Sequence, residues 1–114
     1  MVLRRFMRAG ADVPELAATR VAADMRHNAI QVVDVREDHE WRAGHIDGAV
    51  HIPLGSLGSR AAALDPARPV VTVCRSGQRS LVAAQALKRA GFSDVANMQG
   101  GMLGWTRAGL AVKR

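Results

Sequence analysis

The chain has 114 residues, 48% hydrophobic and 23% charged, which supports one domain over residues 1–114 built around one core. No run approaches the roughly 18 consecutive apolar residues of a membrane span, and Cys74 stands alone, which rules out an intrachain disulfide and suits a reducing compartment. The net charge of +6 favours anions, but the basic residues are scattered, and two Phe, two Trp and no Tyr offer few stacking platforms, so nucleic acid is not an expected partner.

The N-terminal "MVLRRFMRAGADV" lacks the apolar stretch of a secretory signal. Its first eleven residues are arginine-rich and acid-free, as in organellar presequences, yet the cytoplasm is the expected compartment. "VLRRF" reads as a short edge strand. Asp12 reads as an N-cap with Pro14 in the first turn and Glu15 three residues after the cap. Val13, Leu16, Ala17, Val21 and Met25 then recur at helical spacing, predicting a helix to about His27. "IQVVDV" (30–35) is β-branched and almost continuously apolar, as a strand buried on both faces should be.

"EDHEWRAG" predicts a short helix stopped at Gly44, "AVHIP" (49–53) a strand ended by Pro53, and "LGSLGSRAAAL" a small helix with loop around it. "VVTV" (70–73) is another buried strand. Ser80 to Ala90 reads as a helix with Ala83, Ala86, Leu87 and Ala90 on its apolar face and Gly91 as its stop. "DVANM" is a further strand and "GGMLGWTRAG" a last short helix, followed by a tail at Leu110 to Val112. Strands alternating with helices, and apolar throughout, predict a mainly parallel α/β sheet covered on both faces.

Ligands of such sheets bind beyond the carboxyl ends of the strands. Cys74 falls there, between "VVTV" and a helix start. A tight loop at that junction directs backbone N–H groups inward as an anion-binding nest, with Gly77 supplying the freedom to curl. Amide dipoles, the helix end, Arg75 and Arg79 all favour a thiolate in this position. The alternative is a small buried hydrophobe, the commonest fate of a free cysteine. The neighbours Arg75, Ser76, Gly77, Gln78, Arg79 and Ser80 do not describe a core. They describe a nucleophile that takes a group from an anionic donor.

"VVDVREDHEWRAGHIDGAVHIPL", "VTVCRSGQRSLVAAQALKRAGF" and "MQGGMLGWTRAGLAV" resemble, in order and spacing, the three signatures of a single-domain rhodanese, over about residues 10 to 112. The resemblance implies an α/β fold with a five-stranded parallel sheet flanked by helices on both faces. It also implies sulfurtransferase activity, with Cys74 cycling between thiolate and persulfide and no cofactor or metal. The related cell-cycle phosphatases and arsenate reductases carry five residues between Cys and Arg. Here four separate Cys74 from Arg79, and Ser80 holds the phosphatase arginine's place, so the curl is sized for a sulfur atom rather than a tetrahedral oxyanion. Proline is common in the family where Ala111 stands.

Within that resemblance Arg75 and Arg79 are candidates to orient a small anionic donor such as thiosulfate. Amides of Ser76 through Ser80 would hold the persulfide, and Ser76 and Ser80 could add hydroxyl bonds, though Ser80 equally suits a helix cap. Asp34 and Arg36 read as structural support near the loop, and Glu40 and His45 as packing and turn residues. Trp41 and Trp105 read as packing. His45 and His51 make no metal pattern with Cys74 on spacing. The acceptor is a thiol, cyanide or a sulfur-carrier protein. Two functions stay open: an enzyme moving sulfane sulfur, or a persulfide carrier relaying sulfur between proteins.

Overall fold

A computed structural model describes residues 13–114. Its centre is a five-stranded sheet in the order β1-β5-β4-β2-β3, with every pairing parallel. The strands are β1 (Glu15–Leu16), β2 (Gln31–Asp34), β3 (Val50–His51), β4 (Val70–Val73) and β5 (Val95–Met98). β4 and β5 are buried at every position, which is why their sequences lack polar alternation. β4 lies in the middle of the sheet, so the loop leaving its carboxyl end is flanked by strands on both sides.

Helices cover both faces. Val32, Val71, Val73, Ala96 and Met98 pack with Val21 and Ala22 of α1 (Ala18–Arg26) and with Met102 and Trp105 of α5 (Gly101–Arg107). On the opposite face Val33, Val35, Val70 and Val95 pack with Ala83, Ala84 and Leu87 of α4 (Gln78–Arg89) and with Leu57 and Leu64. Strand side chains alternate between faces, so neighbouring valines feed different cores. Each fully buried side chain of this kind stabilises by about 1.5–3 kcal/mol. Among the described residues, no helix is long and apolar enough to cross a membrane.

Several boundaries differ from expectation. The first helix begins at Ala18, and Glu15–Leu16, expected in its first turn, form an edge strand instead. The open edge of β5 explains this: Asn97 N–H donates to Pro14 O at 2.9 Å and Gln99 N–H to Leu16 O at 2.8 Å. Pro14 has no N–H to leave unpaired and suits the start of an edge strand. The cap expected at Asp12 and the strand at "VLRRF" lie outside the described residues.

The helix expected from Ser80 starts at Gln78. Its buried face is Ser80, Ala83, Ala84 and Leu87, whereas Ala86 is half-buried and Ala90 exposed. α2 (Asp38–Ala43) ends at Gly44 as its sequence suggests, and a reciprocal capping box between Glu37 and Glu40 opens it. "LGSLGSRAAAL" folds as a 3-10 turn (Leu54–Ser56), a one-turn helix α3 (Leu57–Arg60) and a second 3-10 turn (Ala61–Ala63). The tail returns to the body, with Lys113 bridged to His45 and Leu110 and Val112 packed on the α1–α5 core.

Candidate active site

Cys74 follows β4 directly, and the chain curls for three residues before α4 begins. Gly77 makes the curl possible: it is the α4 N-cap with φ +111°, in the region that only glycine enters cheaply. α5 braces the loop from behind, with Met102 N–H donating to Cys74 O at 2.8 Å and Leu103 N–H to Arg75 O at 3.1 Å. The carbonyls are thereby occupied on one side and the amides remain for the other.

The sulfur lies on that amide side. Gly77 N–H donates to Cys74 Sγ at 3.0 Å and the Ser80 hydroxyl at 3.2 Å. Cys74 is 1% exposed and backed by the α4-face core, so its surroundings are apolar behind and polar in front. Burial pushes the thiol up. The Ser80 hydroxyl and the backbone N–H groups of Ser80, Gly77 and Ser76 outweigh it, and the net result lies below the ordinary 9.0. Donors converging on a sulfur favour its anion, and the same donors favour any anionic atom attached to it.

The loop residues divide. Gly77 and Ser80 donate to the sulfur and the Ser76 N–H favours its anion, and the Ser80 hydroxyl faces the sulfur rather than capping the helix, where Gly77 holds the N-cap. Gln78 opens α4 and is exposed, as is Arg75. Arg79 gives its terminal nitrogens to Glu40 of α2, at 2.7 and 2.9 Å, within Coulombic range of the Cys74 sulfur. Its guanidinium is therefore already paired, where the sequence suggested Arg79 as a candidate, beside Arg75, to orient the donor anion.

Asp34 and Arg36 form a buried pair, with Arg36 Nη2 2.8 Å from Asp34 Oδ2 and the Arg36 N–H 3.0 Å from Asp34 Oδ1. Arg36 Nη2 also donates to Gly44 O at 2.7 Å, tying the end of β2 to the end of α2. Trp41 stacks on the rings of His45 and His51, with centroids 3.6 and 4.6 Å away, and Trp105 is buried with its Nε1 donating to Ala111 O. Among the described residues no three His, Cys, Asp or Glu side chains converge as metal ligands. A cleft of about 380 Å³ opens beside the loop, lined in part by Arg75, His39, Ala43, Met102, Leu103 and Arg114.

Sequence reasoning passed over Thr72 and Asn97, buried polar residues beneath the loop, and took Glu15 for a capping residue. The available signal was period: Thr72 stands two residues before Cys74, hence on the same sheet face, as the one polar residue of "VVTV".

The model of the Rhodanese-like domain matches residues 17–108. The putative sulfur carrier protein YrkF of Bacillus subtilis is 35% identical over 114 residues, covering 92% of this chain and 62% of that protein. The chain thus spans less than two thirds of that relative. The thiosulfate sulfurtransferase GlpE of Pseudomonas aeruginosa is 38% identical over 94 residues, covering 82% of this chain and 86% of GlpE. The crystal structure of a rhodanese-related protein from Thermoplasma volcanium superposes with a TM-score of 0.80 at 26% identity, over 88% of this chain and 97% of that one. Fold, loop and the extent of the match agree: the chain belongs to the Rhodanese-like domain family.

Proposed function

We propose that this chain is a sulfurtransferase that carries sulfane sulfur on Cys74. The observation that bears most weight is the convergence of the Gly77 N–H and the Ser80 hydroxyl on Cys74 Sγ. In the first step the Cys74 thiolate attacks the outer sulfur of thiosulfate. The S–S bond of thiosulfate breaks, sulfite leaves with its electron pair, and Cys74–S–S⁻ remains. In the second step an acceptor thiolate or cyanide attacks the outer sulfur. The persulfide S–S bond breaks, the sulfur departs on the acceptor, and the Cys74 thiolate returns. Such double displacement gives ping-pong kinetics.

The exposed Arg75 at the mouth of the loop draws the anionic donor, and Arg79 adds its charge from behind the Glu40 pair. Amides of Ser76 through Ser80 hold the terminal sulfur anion, with Gln78 setting the start of α4, and Asp34 and Arg36 keep the neighbouring strand and helix ends in place. The four-residue spacing from Cys74 to Arg79 supports sulfur over phosphate, because a cradle must fit the group transferred. A reducing compartment such as the cytoplasm keeps the thiol available.

The likeness to YrkF supports a second reading, in which donor and acceptor are both proteins and thiosulfate is a poor substrate. Intact mass tests the shared chemistry. Incubation with thiosulfate should add one cyanide-removable sulfur atom to the wild type and none to Cys74→Ser; an unmodified wild type under both thiosulfate and a protein persulfide donor would end the proposal. Faster loading from the protein donor than from thiosulfate would select the carrier.

A further inference from the structure

Three polar side chains stand in register across the sheet beneath the loop. Glu15 of β1 pairs with Asn97 of β5, and Asn97 with Thr72 of β4. The polar row ends at Val33 of β2, the register partner of Thr72, and one layer away Val70 and Val95 face the α4 core, so the row is confined to the layer under Gly77 and Ser80. Asn97 is 1% exposed and Thr72 is fully buried. A polar group so buried is destabilising unless it is bonded, so where its bonds go matters.

They go to the loop. Asn97 Nδ2 donates to Gly77 O at 2.9 Å, and the Glu15 carboxylate receives it at 3.0 Å. The amide is assigned with its NH2 on this side, because the reverse would set its oxygen against a carbonyl and a carboxylate. Thr72 Oγ1 is 2.8 Å from Ser80 O, nearer than Asn97 Oδ1 at 3.2 Å or Ala96 O at 3.3 Å, and its single proton goes to the nearest. The α4 ladder holds Gly77 O more loosely, through Leu81 N–H at 3.3 Å.

Gly77 and Ser80 are thus gripped twice. Each faces the Cys74 sulfur with a donor and is pinned through its own carbonyl by a strand side chain. Glycine at φ +111° has wide conformational freedom, and the peptide following it would swing without an anchor. We propose that Asn97 and Thr72, with Glu15 orienting Asn97, are positioning residues that aim the Gly77 amide and the Ser80 donors at the sulfur of Cys74. The inference rests on the reading of Cys74 as the reacting sulfur.

The test is the pH profile of Cys74 alkylation by iodoacetamide, beside sulfur uptake from thiosulfate and Tm. Thr72→Val and Asn97→Leu should raise the pH of half-maximal alkylation by about one unit, a roughly tenfold loss of thiolate below it. Thr72→Ser, which keeps the hydroxyl, and Glu15→Gln, which keeps an acceptor, should retain the wild-type profile. If Asn97→Leu does not fold, the Thr72→Val and Thr72→Ser pair decides. A folded Thr72→Val with a wild-type profile overturns the proposal, and so does a Thr72→Ser that behaves like Thr72→Val. Alkylation does not require sulfur transfer, so the two readings fail separately. Shifted variants of a wild type that takes up no sulfur from thiosulfate or from a protein persulfide donor would sink the sulfur-transfer reading alone. Unshifted variants of an active wild type would sink the positioning alone.

Discussion

Arg79 and Glu40 form a two-pronged ion pair, Nη1 to Oε1 at 2.7 Å and Nη2 to Oε2 at 2.9 Å, which fastens the first turn of α4 to α2. Hydrogen bonding to Arg79 is the main cause that brings the Glu40 carboxyl from 4.5 down to about 2. Burial works against it, and the Glu37 N–H and the charges of Arg79 and Arg36 add to it. The folded value lies below the unfolded one, so the pair's stabilisation is complete above about 4.5 and is lost as pH falls towards 2. Arg79 is 37% exposed, and solvent screening keeps the gain small. Glu40→Gln should lower stability by about 1 kcal/mol at neutral pH, and the difference from wild type should shrink steadily on acidification. Urea unfolding across that range measures it; a cost independent of pH would mean that the ion pair is not its source.

The same pairing ranks the two loop arginines. Arg75→Ala should lower kcat/KM for thiosulfate about tenfold with little change in kcat, since a charge that recruits the donor acts before chemistry. Arg79→Ala should also weaken donor capture, but less, because Glu40 already neutralises its guanidinium. Steady-state kinetics at low and high salt distinguish them, the Arg75 effect fading as salt rises. An unchanged kcat/KM for either variant removes that arginine from the donor site.

Cys74 should react at lower pH than a free thiol. Burial opposes its ionisation, and the Ser80 hydroxyl is the foremost of the groups that overcome it. Half-maximal alkylation of the wild type should therefore come below pH 9.0, and Ser80→Ala should move it upward. The folded thiol value is depressed, so stability should rise with pH between that value and 9.0 in wild type and stay flat in Cys74→Ala. Coincident alkylation profiles of wild type and Ser80→Ala would show that the hydroxyl does not act on the sulfur.

Gly101 brings the start of α5 against the loop that follows β4. Its φ is +55°, and a Cβ there would collide with the carbonyl oxygens of Cys74 and Arg75. Neither obstacle is a flexible side chain. Gly101→Ala should destabilise by about 3 kcal/mol and slow sulfur uptake, because relief requires α5 to part from the loop. Gly109→Ala, at φ +78° with open space around it, carries backbone strain alone and should cost less. Thermal unfolding of the two variants makes the comparison, and equal losses would show that strain, not collision, sets the cost at Gly101.

What was legible in the residues was whatever depends on local pattern. The apolar runs "VVTV" and "IQVVDV", the Gly44 stop and the helix after Cys74 announced a parallel α/β sheet. The place of Cys74 between strand and helix announced a nest of amides. Burial on both faces and backbone curvature are properties that a few consecutive residues can impose.

What required the tertiary structure was every partnership between distant segments. Glu15 carried a helix-capping pattern, yet the vacant edge of β5 drew its backbone into a strand and its carboxylate to Asn97. Arg79 looked free until Glu40, thirty-nine positions earlier, arrived on α2. Thr72 and Asn97 are unremarkable in a linear reading and become supports only when β4 and β5 align them under α4. Hydrogen bonds and ion pairs act over about 3 Å, so which groups share that distance is decided by packing and not by spacing along the chain.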